Sequence, residues 1–92
     1  MSKPWYMYVV ECNDGSWYCG TTKDLDRRVQ QHNCGRGAKY VRGRTPVKLI
    51  YAHTTSTRSI ACFHESHFKK LNRDQKEQYL KDNERINEVK ER

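Results

Sequence analysis

Residues 5–20 read Trp5-Tyr6-Met7-Tyr8-Val9-Val10-Glu11-Cys12-Asn13-Asp14-Gly15-Ser16-Trp17-Tyr18-Cys19-Gly20. Two short runs of aromatic and β-branched residues flank a cluster of turn formers, the pattern of a β-hairpin. Loop length decides where the tyrosines go. A two-residue Asp14-Gly15 turn sets Tyr8 and Tyr18 on opposite faces. A three-residue Asn13-Asp14-Gly15 loop, with Gly15 left-handed as a bulge, sets them on the same face. The second register also gathers Met7, Val9, Trp17 and Cys19 into an apolar face suited to a core, and it is the one expected.

Downstream of the hairpin a first helix is expected from near Thr22–Asp24 to about His32, with acids at its positive end. Leu25, Val29 and His32 form its buried stripe. Arg28 flanks the stripe and Arg27 points nearly opposite, so Arg28 can lean over the sheet while Arg27 is solvated. A glycine-rich basic connection follows, and Pro46 opens a third strand over Val47–His53. Ser56 or Thr57 caps a second helix whose expected apolar row is Ile60, Phe63, His67 and Leu71, with Glu65 on the flank shared with Ala61. Asn72-x-x-Gln75 resembles a capping box that starts a third helix running to about Leu80. The reading is a small α/β domain over residues 4–82, with a three-stranded, mainly antiparallel sheet and about three helices. Residues 83–92 form a charged tail or frayed helix.

Ninety-two residues make one domain with a core near the lower size limit for independent folding. The hydrophobic fraction of 35% is low, but aromatics supply much of it, which argues against disorder. No apolar run can span a bilayer, and the first strand follows Met1-Ser2-Lys3-Pro4 too closely for a signal peptide. A cytoplasmic protein with no membrane partner is expected. Cys12, Cys19, Cys34 and Cys62 lack framework spacing and read as reduced packing residues. Cys62-x-His64-x-x-His67 is a weak metal pattern, because on a helix Cys62 and His64 point to different faces.

The charge is concentrated. Between Asp26 and Glu65 the chain has no carboxylate but carries Arg27, Arg28, Arg36, Lys39, Arg42, Arg44, Lys48 and Arg58, against a net charge of +7 for the whole chain. Such a segment beside clustered aromatics points to a polyanion held on one surface. Arg36, Lys39, Arg42, Arg44 and Lys70 are candidate phosphate contacts, and Tyr40 a candidate base-stacking group.

Tyr6-Met7-Tyr8, Tyr18-Cys19-Gly20, Arg28, His32 and Glu65, in this order, resemble the GIY-YIG nuclease superfamily. The run His32-Asn33-x-Gly35-x-Gly37-Ala38-Lys39-Tyr40-x-Arg42 is similar to its small stand-alone bacterial members and to the nuclease domain of structure-specific endonucleases of the Slx type. The resemblance covers roughly residues 4–80. Two framework positions depart from the pattern: Tyr6 stands for the first Gly, and Cys19 for the usual Ile or Val.

The resemblance implies a metal-dependent endonuclease that hydrolyses nucleic-acid phosphodiesters, DNA before RNA, with a structure-selective role in DNA repair or recombination as one form. It implies Tyr8, Tyr18, Arg28, His32 and Glu65 as the catalytic set. Glu65 would hold one Mg²⁺ or Mn²⁺, weakly in the absence of substrate, since one carboxylate is few ligands. Arg28 can pair with the scissile phosphate through its planar fork. Either tyrosine can deprotonate or orient the attacking water. An unperturbed tyrosine is only about 0.1% ionised at pH 7, so the surrounding positive charge and a nearby metal are expected to lower the pKa of Tyr8. His32 contacts phosphate, shuttles a proton, or merely closes its helix. Each residue also has an ordinary reading: sheet aromatics for the tyrosines, a helix flank for Arg28, an ion pair with Lys69 for Glu65. A monomer is expected, with a protein partner for targeting as an option. The rivals are a nucleic-acid-binding module that does not cut and a nuclease subunit active only with a partner.

Overall fold

The first strand, β1 (Trp5–Glu11), is central, and four consecutive residues of it, Met7 to Val10, are buried. A strand buried on both faces needs apolar residues without alternation, and this one has them. The computed structural model describes residues 4–90, with side-chain surroundings through residue 83. The strand β2 (Trp17–Thr22), the helix α1 (Leu25–Asn33), the strand β3 (Lys48–Thr55) and the helices α2 (Arg58–Lys69) and α3 (Arg73–Lys90) follow. The sheet order is β2-β1-β3, and both pairings are antiparallel.

The hairpin takes the three-residue loop. Cys12 N donates to Ser16 O at 2.8 Å, Gly15 N donates to Cys12 O at 2.9 Å, and Gly15 has φ +85°. Val10 then pairs with Tyr18, and Tyr8 with Gly20, so the two tyrosines share a face. That register divides the core. Met7, Val9, Cys19, Tyr51 and Phe68 form one cluster under α2 and α3. Tyr8, Val10, Cys12, Val41 and Val47 form the other, against which Leu25 and Val29 of α1 pack.

The helix starts follow side-chain caps. Asp24 accepts from Arg27 N at the start of α1, and Thr57 from Ile60 N at the start of α2. At α3, Asn72 and Gln75 exchange reciprocal bonds of 2.9 and 2.8 Å, a complete capping box. The third helix passes beyond Leu80 and through residue 83 to Lys90, and residues 91–92 lie outside the described part. The third strand lies slightly later than expected, at Lys48–Thr55. All four cysteines are free.

The expected apolar row of α2 is corrected. Ile60 and Phe63 are 43% and 69% exposed, and His67 is exposed, whereas Ala61 and Phe68 are buried. Only Leu71, beyond the helix end, packs inward as expected. Side-chain bulk pointed to the wrong row. A helix lying close to a sheet needs a small residue at the point of approach, and Ala61, with no exposed surface, is that residue. Phe68, two turns on, fills the space against Met7 and Val9, worth roughly 1.5–3 kcal/mol for full burial. Glu65 lies between them on the same helical row, so it turns toward the protein instead of standing on a flank.

Candidate active site

Tyr8 is the centre of the site. Its ring lies on the α1 side of the sheet, 1% exposed, with its hydroxyl 2.8 Å from His32 Nε2. Arg28, one helical turn before His32, donates from Nε to the same hydroxyl at 3.4 Å and from Nη1 to Gln31 Oε1 at 3.1 Å. Arg28, Tyr8 and His32 therefore form a hydrogen-bonded row, with Arg28 half-buried and Arg27 exposed, as the helical wheel requires. Gln31, which steadies Arg28, was not singled out by the sequence; its only signal was the helical spacing of three.

His32 has no exposed surface, and its Nε2 is turned to the Tyr8 hydroxyl. Its Nδ1 has no hydrogen-bond partner among the described residues, which is rare for a buried polar atom. Gly37 covers that atom so closely that a Cβ there would lie 2.0 Å from Nδ1. Gly20 plays the same part for Tyr8: a Cβ on it would lie 2.7 Å from the Tyr8 hydroxyl. Two glycines thus make room for the two rings.

The pKa of Tyr8 is not lowered. Burial pushes it up to about 12, outweighing the hydrogen bond and charge of Arg28 that pull it down. The expectation of a depressed value omitted the cost of placing a phenolate under a helix. Burial, and secondarily Arg28, hold His32 below its ordinary value of 6.5. The sign follows by linkage. As pH falls through about 6.5 the unfolded chain binds a proton at this position that the folded chain refuses, so folding stability falls with pH from there down to the folded pKa. The urea midpoint is therefore expected to drop between pH 7 and pH 5, and His32→Gln to flatten that slope whatever its own stability. An unchanged slope in the variant would assign the acid sensitivity to other groups.

Tyr18 stands in front of this row. It is half-buried, with its ring centroid 5.5 Å from His32 and 6.5 Å from Tyr8, and its hydroxyl bonds to no described residue. Tyr40 stacks on it at 6.1 Å and 22°, and Arg44 covers Tyr40 at 4.3 Å. Arg44 pairs with Asp14 at 3.1 Å and donates to the Tyr40 carbonyl at 2.7 Å, and its side chain stays 39% exposed. It braces the basic connection against the hairpin turn, unlike Arg36, Lys39, Arg42 and Lys70, which are exposed and make no ion pair with a described residue.

Glu65 is carried by α2. Its carboxylate, 20% exposed, pairs with Lys69 at 2.7 Å, and Lys69 Nζ lies 5.8 Å above the Tyr18 ring. That pairing and the nearby Tyr18 raise the pKa of Lys69. Burial pushes the Cys19 thiol up to about 12, with the Glu65 charge adding to the effect, so the thiol is inert and Glu65 lies close to β2. No cluster of three His, Cys, Asp or Glu side chains exists among the described residues. The donor set is one carboxylate beside open surface. This fits a hard divalent cation such as Mg²⁺, which keeps several waters and takes further oxygens from a phosphate. Glu65 is the residue that would hold it, once released from Lys69.

Residues 4–87 match the GIY-YIG catalytic domain, the mark of an endonuclease superfamily. The UPF0213 protein spr1390 of Streptococcus pneumoniae is 52% identical over 79 residues, covering 86% of this chain and 80% of that one. The UPF0213 protein HQ_3675A of Haloquadratum walsbyi is 47% identical over 83 residues, or 90% and 93%. The solution NMR structure of the protein EF2693 from E. faecalis superposes with a TM-score of 0.61 at 50% identity, covering 87% of this chain and 85% of that one.

Proposed function

The chain belongs to the GIY-YIG catalytic domain family, and from that premise we propose that it is a divalent-metal-dependent endonuclease hydrolysing phosphodiester bonds in DNA. The observation that carries the reading is the row Arg28–Tyr8–His32, with Tyr18 next to Tyr8 and His32 and Glu65 joined to Tyr18 through Lys69. A sheet of ordinary core aromatics would not need an arginine turned inward onto a tyrosine hydroxyl.

Phosphodiester hydrolysis requires charge neutralisation at the phosphorane, a positioned water and help for the leaving oxygen. Arg28 supplies a fixed fork for the phosphate oxygens, aimed by Tyr8 and Gln31. A Tyr8 with its pKa near 12 keeps its proton and acts as a positioning group. The exposure of Tyr18 and its unbonded hydroxyl support it as the tyrosine that contacts the attacking water. His32, neutral and buried, fixes Tyr8. A bound Mg²⁺ or Mn²⁺ on Glu65 would supply Lewis-acid chemistry. Arg36, Lys39, Arg42 and Lys70 hold backbone phosphates without reading sequence. Structure selectivity, a role in repair and recruitment by a protein partner are finer extensions of the same proposal.

The test is cleavage of labelled single-stranded, duplex and branched DNA with Mg²⁺ or Mn²⁺ against EDTA. Cutting that requires the metal and returns when it is restored is the expected result. Binding without cutting on every substrate would move the assignment to a non-cleaving binding module. Cutting in EDTA would remove the metal from the mechanism.

A further inference from the structure

Past Tyr18, on the face where α2 and α3 meet the edge strand β2, lies a cavity of about 360 Å³. Its lining includes Trp17, Tyr18, Tyr40 and Phe68, with Lys69 and Lys76 among them. Arg28, Tyr8 and His32 do not line it. Phe68 is a buried floor, while Tyr40 is a wall 42% exposed. Both ammonium groups face aromatic rings: Lys69 Nζ is 5.8 Å from the Tyr18 centroid, and Lys76 Nζ is 5.6 Å from that of Phe68. Lys76 makes no ion pair with a described residue, although Arg73 and Glu77 on the same helix pair with each other at 2.9 Å. A folded chain leaves an ammonium over an aromatic concavity, next to the tyrosine of its reactive centre. Aromatic surface and unneutralised positive charge together match one ligand chemistry, a flat heteroaromatic ring carrying an anion.

We propose that this cavity takes one unpaired nucleotide of the strand being cut, with its base against the aromatic walls and its phosphate at Lys76. The inference rests on the nuclease reading and narrows its substrate class. The volume lies near the lower end of the roughly 300–1,000 Å³ range of ligand pockets, enough for a nucleotide and too small for a base pair. A base inside a duplex has both faces covered by its neighbours and cannot stack on protein, whereas one in a single strand, flap or branch can. Stacking of this kind tolerates any base, because every base presents a π-face. The cavity therefore selects unpaired structure at the cleavage position and not sequence. The shared Tyr18 links the two sites, so that filling the cavity sets the position of the adjoining phosphodiester.

Fluorescence of 2-aminopurine tests this. The probe is placed once in a single-stranded oligonucleotide and once in the same sequence as a duplex, each titrated with the full chain in EDTA so that binding is read apart from cleavage. The expected result is quenching on binding in the single strand, little change in the duplex, and affinity for the single strand reduced about five- to a hundred-fold by Tyr40→Ala. In Lys76→Ala the salt slope of single-strand binding falls by about one charge. Absence of quenching by the wild-type chain overturns the proposal without relying on any variant. So does equal loss of duplex and single-strand affinity in Tyr40→Ala, and so does free adenosine monophosphate competing as strongly as the oligonucleotide. Duplex cleavage with no quenching would leave the nuclease standing and the cavity idle. Quenching without cleavage of any DNA would do the reverse.

Discussion

Arg28→Ala is expected to lower the rate of DNA cleavage by roughly 10³-fold, in the range where removing a fixed transition-state donor falls. Affinity for DNA should weaken by less than about tenfold, because one of several phosphate contacts is lost. The asymmetry follows from where Arg28 stands. It is half-buried and already turned onto Tyr8 before any substrate arrives, so its charge costs no reorganisation when the phosphorane forms. Arg28→Lys separates charge from geometry. An ammonium restores the charge, but not the fork or the Nε donor that faces the Tyr8 hydroxyl, so it is expected to recover no more than about a tenth of the lost activity. Glu65→Ala should be as damaging, through the metal. Measuring kcat and Kd separately decides the matter. A rate near wild type in Arg28→Ala would take this residue out of the chemistry, and a loss confined to Kd would make it one more backbone contact.

How much of this was legible beforehand can be followed residue by residue. The hairpin register was, because loop length, a left-handed glycine and an apolar face all agreed, and consistency across levels is what specifies a structure. The helical placement of Arg28 and His32 was legible for the same reason. The row of α2 was not. Two candidate rows lie side by side on that helix, and periodicity weighs a bulky exposed Phe63 as heavily as a small buried Ala61. Only the sheet decides, by how closely the helix can approach, and that is a long-range fact. Glu65 was assigned its role from resemblance while its expected flank position argued for the surface; the rotated row removes that conflict. The partners of Arg44 are hidden too. It read as one more phosphate contact in a basic loop, and its partners Asp14 and Tyr40 are 30 residues and 4 residues away in sequence. Charge is visible in a sequence and desolvation is not, so the burial that raises the pKa of Tyr8 against Arg28 is not legible there.

Gly37→Ala is expected to destabilise the fold by about 3 kcal/mol or more, through overpacking. The added methyl would sit 2.0 Å from His32 Nδ1 and 2.7 Å from His32 Cα, and neither can give way. The imidazole is fully buried and held by Tyr8 at 2.8 Å, and its backbone lies in the last turn of α1. Gly35→Ala is the control. There φ is +81° and nothing lies within 4 Å of the new Cβ, so only backbone strain opposes it, about 1 kcal/mol. Against a typical total of about 5–15 kcal/mol the first substitution threatens the native state and the second does not. Denaturant midpoints of the two variants, side by side, test this. If they fall equally, the close packing of Gly37 on His32 is not what that glycine provides. If Gly37→Ala falls much further and the surviving folded fraction cuts DNA poorly, one contact serves two ends. The glycine that lets the connection close over α1 also holds the imidazole against Tyr8, so the stability of this region and the alignment of its catalytic row cannot be varied separately.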